Sequence, residues 1–148
     1  MTVLDAYAVI AYLRAEAAAT EVKPLLKRPA AALTTVGVAE VLDHLIRIVG
    51  VDEEDAALDV AQLGLLDGIP VSPALGAAAG RLRARRYHRS RCTVSMADCI
   101  AAEAARSRAE PLATSDPHLL DVCQTENIAR HVLPQSDGSI WTPPPRTT

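Results

Sequence analysis

The chain has 148 residues, the size of one ordinary domain with a real core, and nearly half of them are apolar. A formal net charge of −3 excludes a global basic field for nucleic acid, and three cysteines without a paired CxxC spacing speak against zinc or a disulfide framework. No apolar run approaches the ~20 residues of a membrane span, and no basic stretch precedes an apolar run at the N-terminus, so a soluble, cytoplasmic protein is expected.

With no Phe, one Trp and three Tyr, the core is expected to be Ala, Leu, Val and Ile, with the cysteines as small core residues. Thr2-Val3-Leu4 predicts a short buried strand, followed by Asp5 and a helix from Tyr7 to Ala19. Pro24 and Pro29 are expected to bracket a second helical piece, and Ala31 to Thr34 to form a second strand. From Thr35, the residues Val38, Val41, Leu42, Leu45 and Val49 share one stripe at 3.6-residue spacing, a helix that Gly50 ends. Asp52 to Leu66 predicts another helix, its acids crowding the first turn where the helix dipole favours them. Gly68 to Val71 reads as a brief edge strand, because Pro70 lacks an amide donor.

A helix from about Pro73 to Tyr87 opens an arginine-rich stretch, with six arginines from Arg81 to Arg91. Ser95 to Arg108 predicts a helix, Pro111 to Thr114 a strand, Pro117 to Cys123 a helix and Ile128 to Leu133 a last strand. The tail, with Pro143-Pro144-Pro145, is expected to be extended or disordered. Residues 1–135 then form one domain and 136–148 a proline-rich tail. Strands alternating with helices predict an α/β fold, a short parallel sheet with helices on both faces, whose site lies beyond the carboxyl ends of the strands.

Four acids fall where such a site would form. Asp5 and Asp116 each follow a strand and precede a helix, Asp98 opens a helix and Glu40 lies off the apolar stripe of its own. Each has an ordinary structural reading. Asp5 suits a helix cap, Asp116-Pro117 an N-cap and first turn, Ser95 to Asp98 a capping box, and Glu40 a solvated face. Their joint placement points further. Two carboxylates ~4 Å apart at an effective dielectric of ~20 repel by about 4 kcal/mol, so a cluster needs protons or a cation. Hard oxygen ligands without His or Cys select Mg²⁺ or Mn²⁺, which ready water for attack on phosphate.

Four stretches carry a resemblance: Val3 to Ile10, Thr34 to Leu42, Ser95 to Ala102 and Leu112 to Asp116. In this order and spacing they resemble the signature blocks of PIN-domain nucleases, in particular VapC-type toxins of bacterial toxin–antitoxin pairs, from about Thr2 to Leu133. The resemblance implies a PIN-like three-layer fold and hydrolysis of RNA phosphodiesters with Mg²⁺ or Mn²⁺. It places Asp5, Glu40, Asp98 and Asp116 on the family's acidic positions and Thr114 on a hydroxyl position near the metal site. It also implies a homodimer and a cognate antitoxin. Tyr7 departs from the pattern, standing where a small hydroxyl residue is common.

Beside such a site, Arg85, Arg86 and Arg89 are candidate phosphate contacts; the alternative is a solvated helix end. His44, His88, His118 and His131 are scattered and predict surface or loop roles. A phosphoacceptor receiver domain would need a late lysine, and none follows Lys27. A haloacid-dehalogenase-type phosphatase would need a second Asp where Tyr7 stands. The alternatives left open are a non-catalytic RNA- or protein-binding module on this fold and a housekeeping RNA-processing nuclease.

Overall fold

The computed structural model describes residues 1–27 and 31–145. Its elements alternate as predicted: β1 (Thr2–Leu4), α1 (Ala6–Leu13), α2 (Ala19–Leu25), β2 (Ala31–Ala32), α3 (Thr35–Asp43), α4 (Glu53–Gln62), α5 (Pro73–Arg86), α6 (Met96–Arg108), β3 (Leu112–Thr114), α7 (Pro117–Thr125) and β4 (Arg130–Val132). A π-helical turn, His44–Val49, continues α3. The four strands pair in parallel in the order β2-β1-β3-β4. From β1 the chain passes to one side, then returns to build β3 and β4 on the other. The strand order therefore switches direction between β1 and β3, the crevice where sheets of this kind bind ligands.

The pleat decides the two cores, since successive strand residues face opposite ways. Val3 and Leu112 pack with Ala79, Leu82, Ala102 and Ala105 of α5 and α6. Leu4 and Ala113 pack with Val9, Val22, Val41 and Val60 of α1 to α4. Alanine supplies much of both interfaces, which is how a chain without Phe fills two buried layers. Cys99 and Cys123 are buried in the first core, and burial pushes both thiols up to about 12. No helix among the described residues is long and apolar enough to cross a membrane.

Several boundaries differ from the sequence reading. The first helix stops at Leu13, not Ala19, because Ala15 turns left-handed (φ 53°) and the Glu16 amide donates to the Ala11 carbonyl. The same closure ends α6 at Ala109 (φ 52°) and α7 at Asn127 (φ 55°), with Glu110 donating to Ala105 and Ile128 to Cys123. Glycine usually takes this position, so two alanines there left no signal. Pro24 lies inside α2, near its end where few backbone bonds remain to be lost, instead of preceding a helix; Pro29 lies outside the described residues.

The helix predicted from Thr35 to Val49 is α-helical only to Asp43. The π turn adds residues per revolution and rotates the stripe, so Val41 and Leu45 stay buried while Val49 emerges to solvent. Gly68 to Val71 makes a single bridge, Thr34 to Ile69, in place of an edge strand. A Cβ on Gly68 would stand 3.0 Å from the backbone at Leu33, Thr34 and Thr35, so only glycine permits this approach. The bridge fixes Thr34, whose hydroxyl caps α3 by accepting from the Gly37 amide at 2.9 Å. The described part of the tail docks through Trp141, whose indole N–H donates to Asp121 Oδ1 at 2.8 Å. The Arg130 guanidinium lies over the same ring.

Candidate active site

Asp5 ends β1 at the switch point. Its amide donates to the Ala113 carbonyl at 3.0 Å, tying the turn to β3. Although Asp5 occupies the N-cap position of α1, its side chain caps nothing. It accepts instead from the Thr114 hydroxyl at 2.8 Å, across the sheet. The capping role the sequence allowed for Asp5 is therefore not the one it has. Only 5% of Asp5 is exposed. Thr114 is fully buried, and its Oγ1 also accepts from the Asp116 amide at 3.0 Å. One hydroxyl thus fixes Asp5 and the loop that carries Asp116.

Asp116 and Asp98 do cap their helices. Asp116 Oδ1 accepts from the His118 and Leu119 amides at 2.8 and 3.1 Å, opening α7. Asp98 Oδ2 accepts from the Ser95 amide at 2.8 Å, and the Ser95 hydroxyl accepts from the Asp98 amide at 3.0 Å, a complete capping box. In each, one carboxylate oxygen is anchored by backbone and the other is left over. Capping and site membership are compatible: the cap holds the acid's orientation. Glu40 is half-buried on α3, raised on the helix that Thr34 starts.

Electrostatics bind the four together. Burial above all, then the negative charge of Asp98, pushes the Asp5 carboxyl up to about 7 against the Thr114 hydrogen bond, with Asp116 and Glu40 adding to the rise. Burial and Asp98 raise Glu40. Burial raises Asp98, and Asp116 adds to it. As they stand, no three acidic, histidine or cysteine side chains among the described residues are close enough to share one ion. The donor set nevertheless fits a hard divalent cation: oxygen-only, partly dehydrated, mutually repelling and with free carboxylate oxygens.

The arginine stretch divides in two. Arg85 donates to Glu126 Oε1 at 2.6 Å and Arg86 Nε to Oε2 at 2.8 Å, so two of the three expected to contact phosphate are held at the far end of α7. Arg106 joins them on Glu126 at 2.7 Å. Arg89 and Arg91 are exposed in the turn closed by the His88–Cys92 bridge. That turn lies beside the site, because the Arg91 carbonyl meets His118 Nδ1, two residues after Asp116, at 3.0 Å. His88 takes the Ser90 and Arg91 amides within the same turn, a structural role. Glu126 gave no signal in the sequence; a lone glutamate shows its partners only in three dimensions.

Carboxylates gathered at the switch point of a short parallel sheet define an acidic-centre α/β domain, covered by helices on both faces. The PIN domain family model matches residues 2–124, and the chain belongs to that family. No curated protein sequence matches it. Solved structures share the fold at low identity. The VapBC2 complex from Rickettsia felis, bound to a DNA fragment from its promoter, has TM-score 0.64 and 16% identity over 88% of this chain and 96% of that one. FitAcB from Neisseria gonorrhoeae has TM-score 0.62 and 18% identity over the same shares, 88% and 96%. A toxin–antitoxin complex from Klebsiella pneumoniae has TM-score 0.60 and 16% identity over 78% and 87%.

Proposed function

We propose that this PIN-family chain is a metal-dependent endoribonuclease, the toxin of a toxin–antitoxin pair acting in the cytoplasm. The observation that carries the reading is Asp5: a buried carboxylate at the switch point of the sheet, coupled to three other acids. A structural acid in that position would be destabilising without return, and a divalent cation removes the penalty.

Asp5, Asp98 and Asp116 hold Mg²⁺ or Mn²⁺, with Glu40 in or beside the ligand set. A divalent ion supplies, when bound, a water activated for in-line attack on the phosphodiester and charge stabilisation at the leaving oxygen. Thr114 lies beneath the site and positions Asp5, without touching RNA. Glu40, the least constrained of the four, orients the attacking water. Arg89, with Arg91, draws the RNA backbone past an otherwise repelling centre, while Arg85 and Arg86 contribute only as far as Glu126 releases them. The partner is a cognate antitoxin, in keeping with the toxin–antitoxin complexes among the structural neighbours, and the chain works as a homodimer.

The test is incubation of the purified protein with structured RNA and with a cellular RNA pool, with Mn²⁺ or Mg²⁺ and with EDTA, beside an Asp5→Ala control. Metal-dependent cleavage that the control lacks supports the nuclease. A folded protein that cleaves neither RNA in any metal favours the non-catalytic binding module.

A further inference from the structure

A cavity of about 410 Å³ opens beside the carboxylates, within the ~300–1,000 Å³ range of small-molecule sites. It runs from Asp5 and Asp116 outward to Tyr7, Arg14 and His44, and the chain after β4 (Pro134 to Ser136) walls its other side. Tyr7 is 61% exposed, although it stands two residues from the most buried acid of the site. Its ring meets His44 edge to face, with centroids 6.0 Å apart and planes at 74°, so two flat surfaces form a corner. His44 begins the π turn, and its Nε2 is closed off from solvent with no hydrogen-bond partner. Such turns are frequent at functional sites, and with Nε2 enclosed the imidazole serves here as a fixed wall behind the Tyr7 ring.

We propose that this pocket is a nucleobase subsite: an unstacked base of single-stranded RNA, next to the phosphate at the acids, lies against the Tyr7 ring, which His44 buttresses edge to face. The proposal rests on the nuclease reading for its position and goes beyond it in naming what flanks the phosphate. Stacking explains the exposed aromatic, which no core needs, and tolerates any base. Outward of Asp5 and Asp116, which form the phosphate end, Arg14 and Glu16 are the only Lys, Arg, Asp or Glu lining the pocket among the described residues and offset each other, leaving recognition there to flat, uncharged surfaces. That favours a base over an acidic or basic peptide.

The probe is a hexaribonucleotide with 2-aminopurine at each position in turn, titrated into the Asp98→Asn chain with Mn²⁺ and again with EDTA. Binding is expected to quench fluorescence at one or two positions. Adding Tyr7→Ala is expected to raise Kd about 10-fold and abolish the quenching, whereas Tyr7→Phe keeps both within about 2-fold. His44→Ala, which removes the ring that holds Tyr7 in place, is expected to weaken binding about 3-fold and to reduce the quenching. Tyr7 is exposed, so equal melting curves certify each fold. Unchanged affinity and quenching in Tyr7→Ala, or no quenching in any chain, overturns the subsite. The nuclease reading is judged separately: cleavage by otherwise native Tyr7→Ala with no stacking signal anywhere discards the subsite alone. Tyr7-dependent quenching in a protein that never cleaves RNA keeps the base pocket and discards the nuclease.

Discussion

The two ends of α7 each carry an acid, and the molecule treats them in opposite ways. At the C-terminal end, Glu126 faces the unfavourable pole of the helix dipole, with its side chain only 7% exposed, yet three arginines surround it. Burial works to raise its carboxyl, but hydrogen bonds from Arg85, Arg106 and Arg86 override it and hold the group down at about 2. At the N-terminal end, Asp116 is coupled with Asp5, which Asp98 and Glu40 also raise, and the Asp5 carboxyl rises to about 7. About 13 Å of helix separates the two, from nine residues at ~1.5 Å each. Three arginines meet at one end, and none of the three pairs with an acid at the other. A paired acid holds the fold together; the acids left unpaired mark the site.

The sharpest break of that contrast is Asp98→Asn against Glu126→Gln. Asparagine keeps the capping acceptor for Ser95, so the fold should melt within about 2 °C of the parent, while metal-dependent RNA cleavage falls ~10³-fold or more. Cleavage at parental rates would remove Asp98 from the site. Glu126→Gln should do the reverse. With three arginines losing their counter-charge, stability should fall by roughly 2–3 kcal/mol, or about 5–10 °C in Tm, with cleavage per folded molecule unchanged. An unaltered melt would make the arginine cluster ornamental.

The pH dependence should separate the two ends with opposite signs. Glu126 has a folded pKa below its ordinary 4.5, so its stabilisation is complete above that pH and is lost as pH falls toward about 2. Asp5 has a folded pKa above its ordinary 3.8. The folded state therefore favours the proton, and metal-free stability should decline as pH rises from about 4 through about 7. Denaturant melts in EDTA across this range test both. Asp5→Asn should flatten the upper limb and gain about 1 kcal/mol at pH 8, though it abolishes cleavage; a loss of stability there would mean the carboxylate is structurally needed.

The smallest effect is in the salt dependence of RNA binding. If Arg85 and Arg86 are held by Glu126, replacing them together with Arg89 should flatten the log–log salt slope by only about 0.7, the share of one single-strand contact. A change near 2 would show that all three reach phosphate. An unchanged slope would take the stretch out of RNA binding.

The order of strands and helices was legible because apolar periodicity and strand-end acids are local signals. Thr2 to Leu4 and Leu112 to Thr114 fall where the short apolar runs end in polar residues, and the parallel sheet follows from their alternation with helices. The capping box at Ser95 and the N-cap at Asp116 were equally local, since each spans only four successive residues. What sequence left open was the fate of each carboxylate. Asp5 had the sequence of a cap, and only the adjacency of β1 and β3 brings the Thr114 hydroxyl, 109 residues away, to take its side chain elsewhere.

The same division holds through the rest of the chain. Sequence by itself determined an α/β domain with four acids able to meet at one sheet edge, because hydrophobic period and helix capping are written in neighbouring residues. Tertiary structure alone decided that Arg85 and Arg86 answer Glu126, that the stripe from Val38 rotates through a π turn, and that Tyr7 and His44 form a corner beside the acids. These are matters of which charges and rings become neighbours, and in a low-dielectric interior that distance decides whether a carboxylate is neutralised by the protein or left for something else to neutralise.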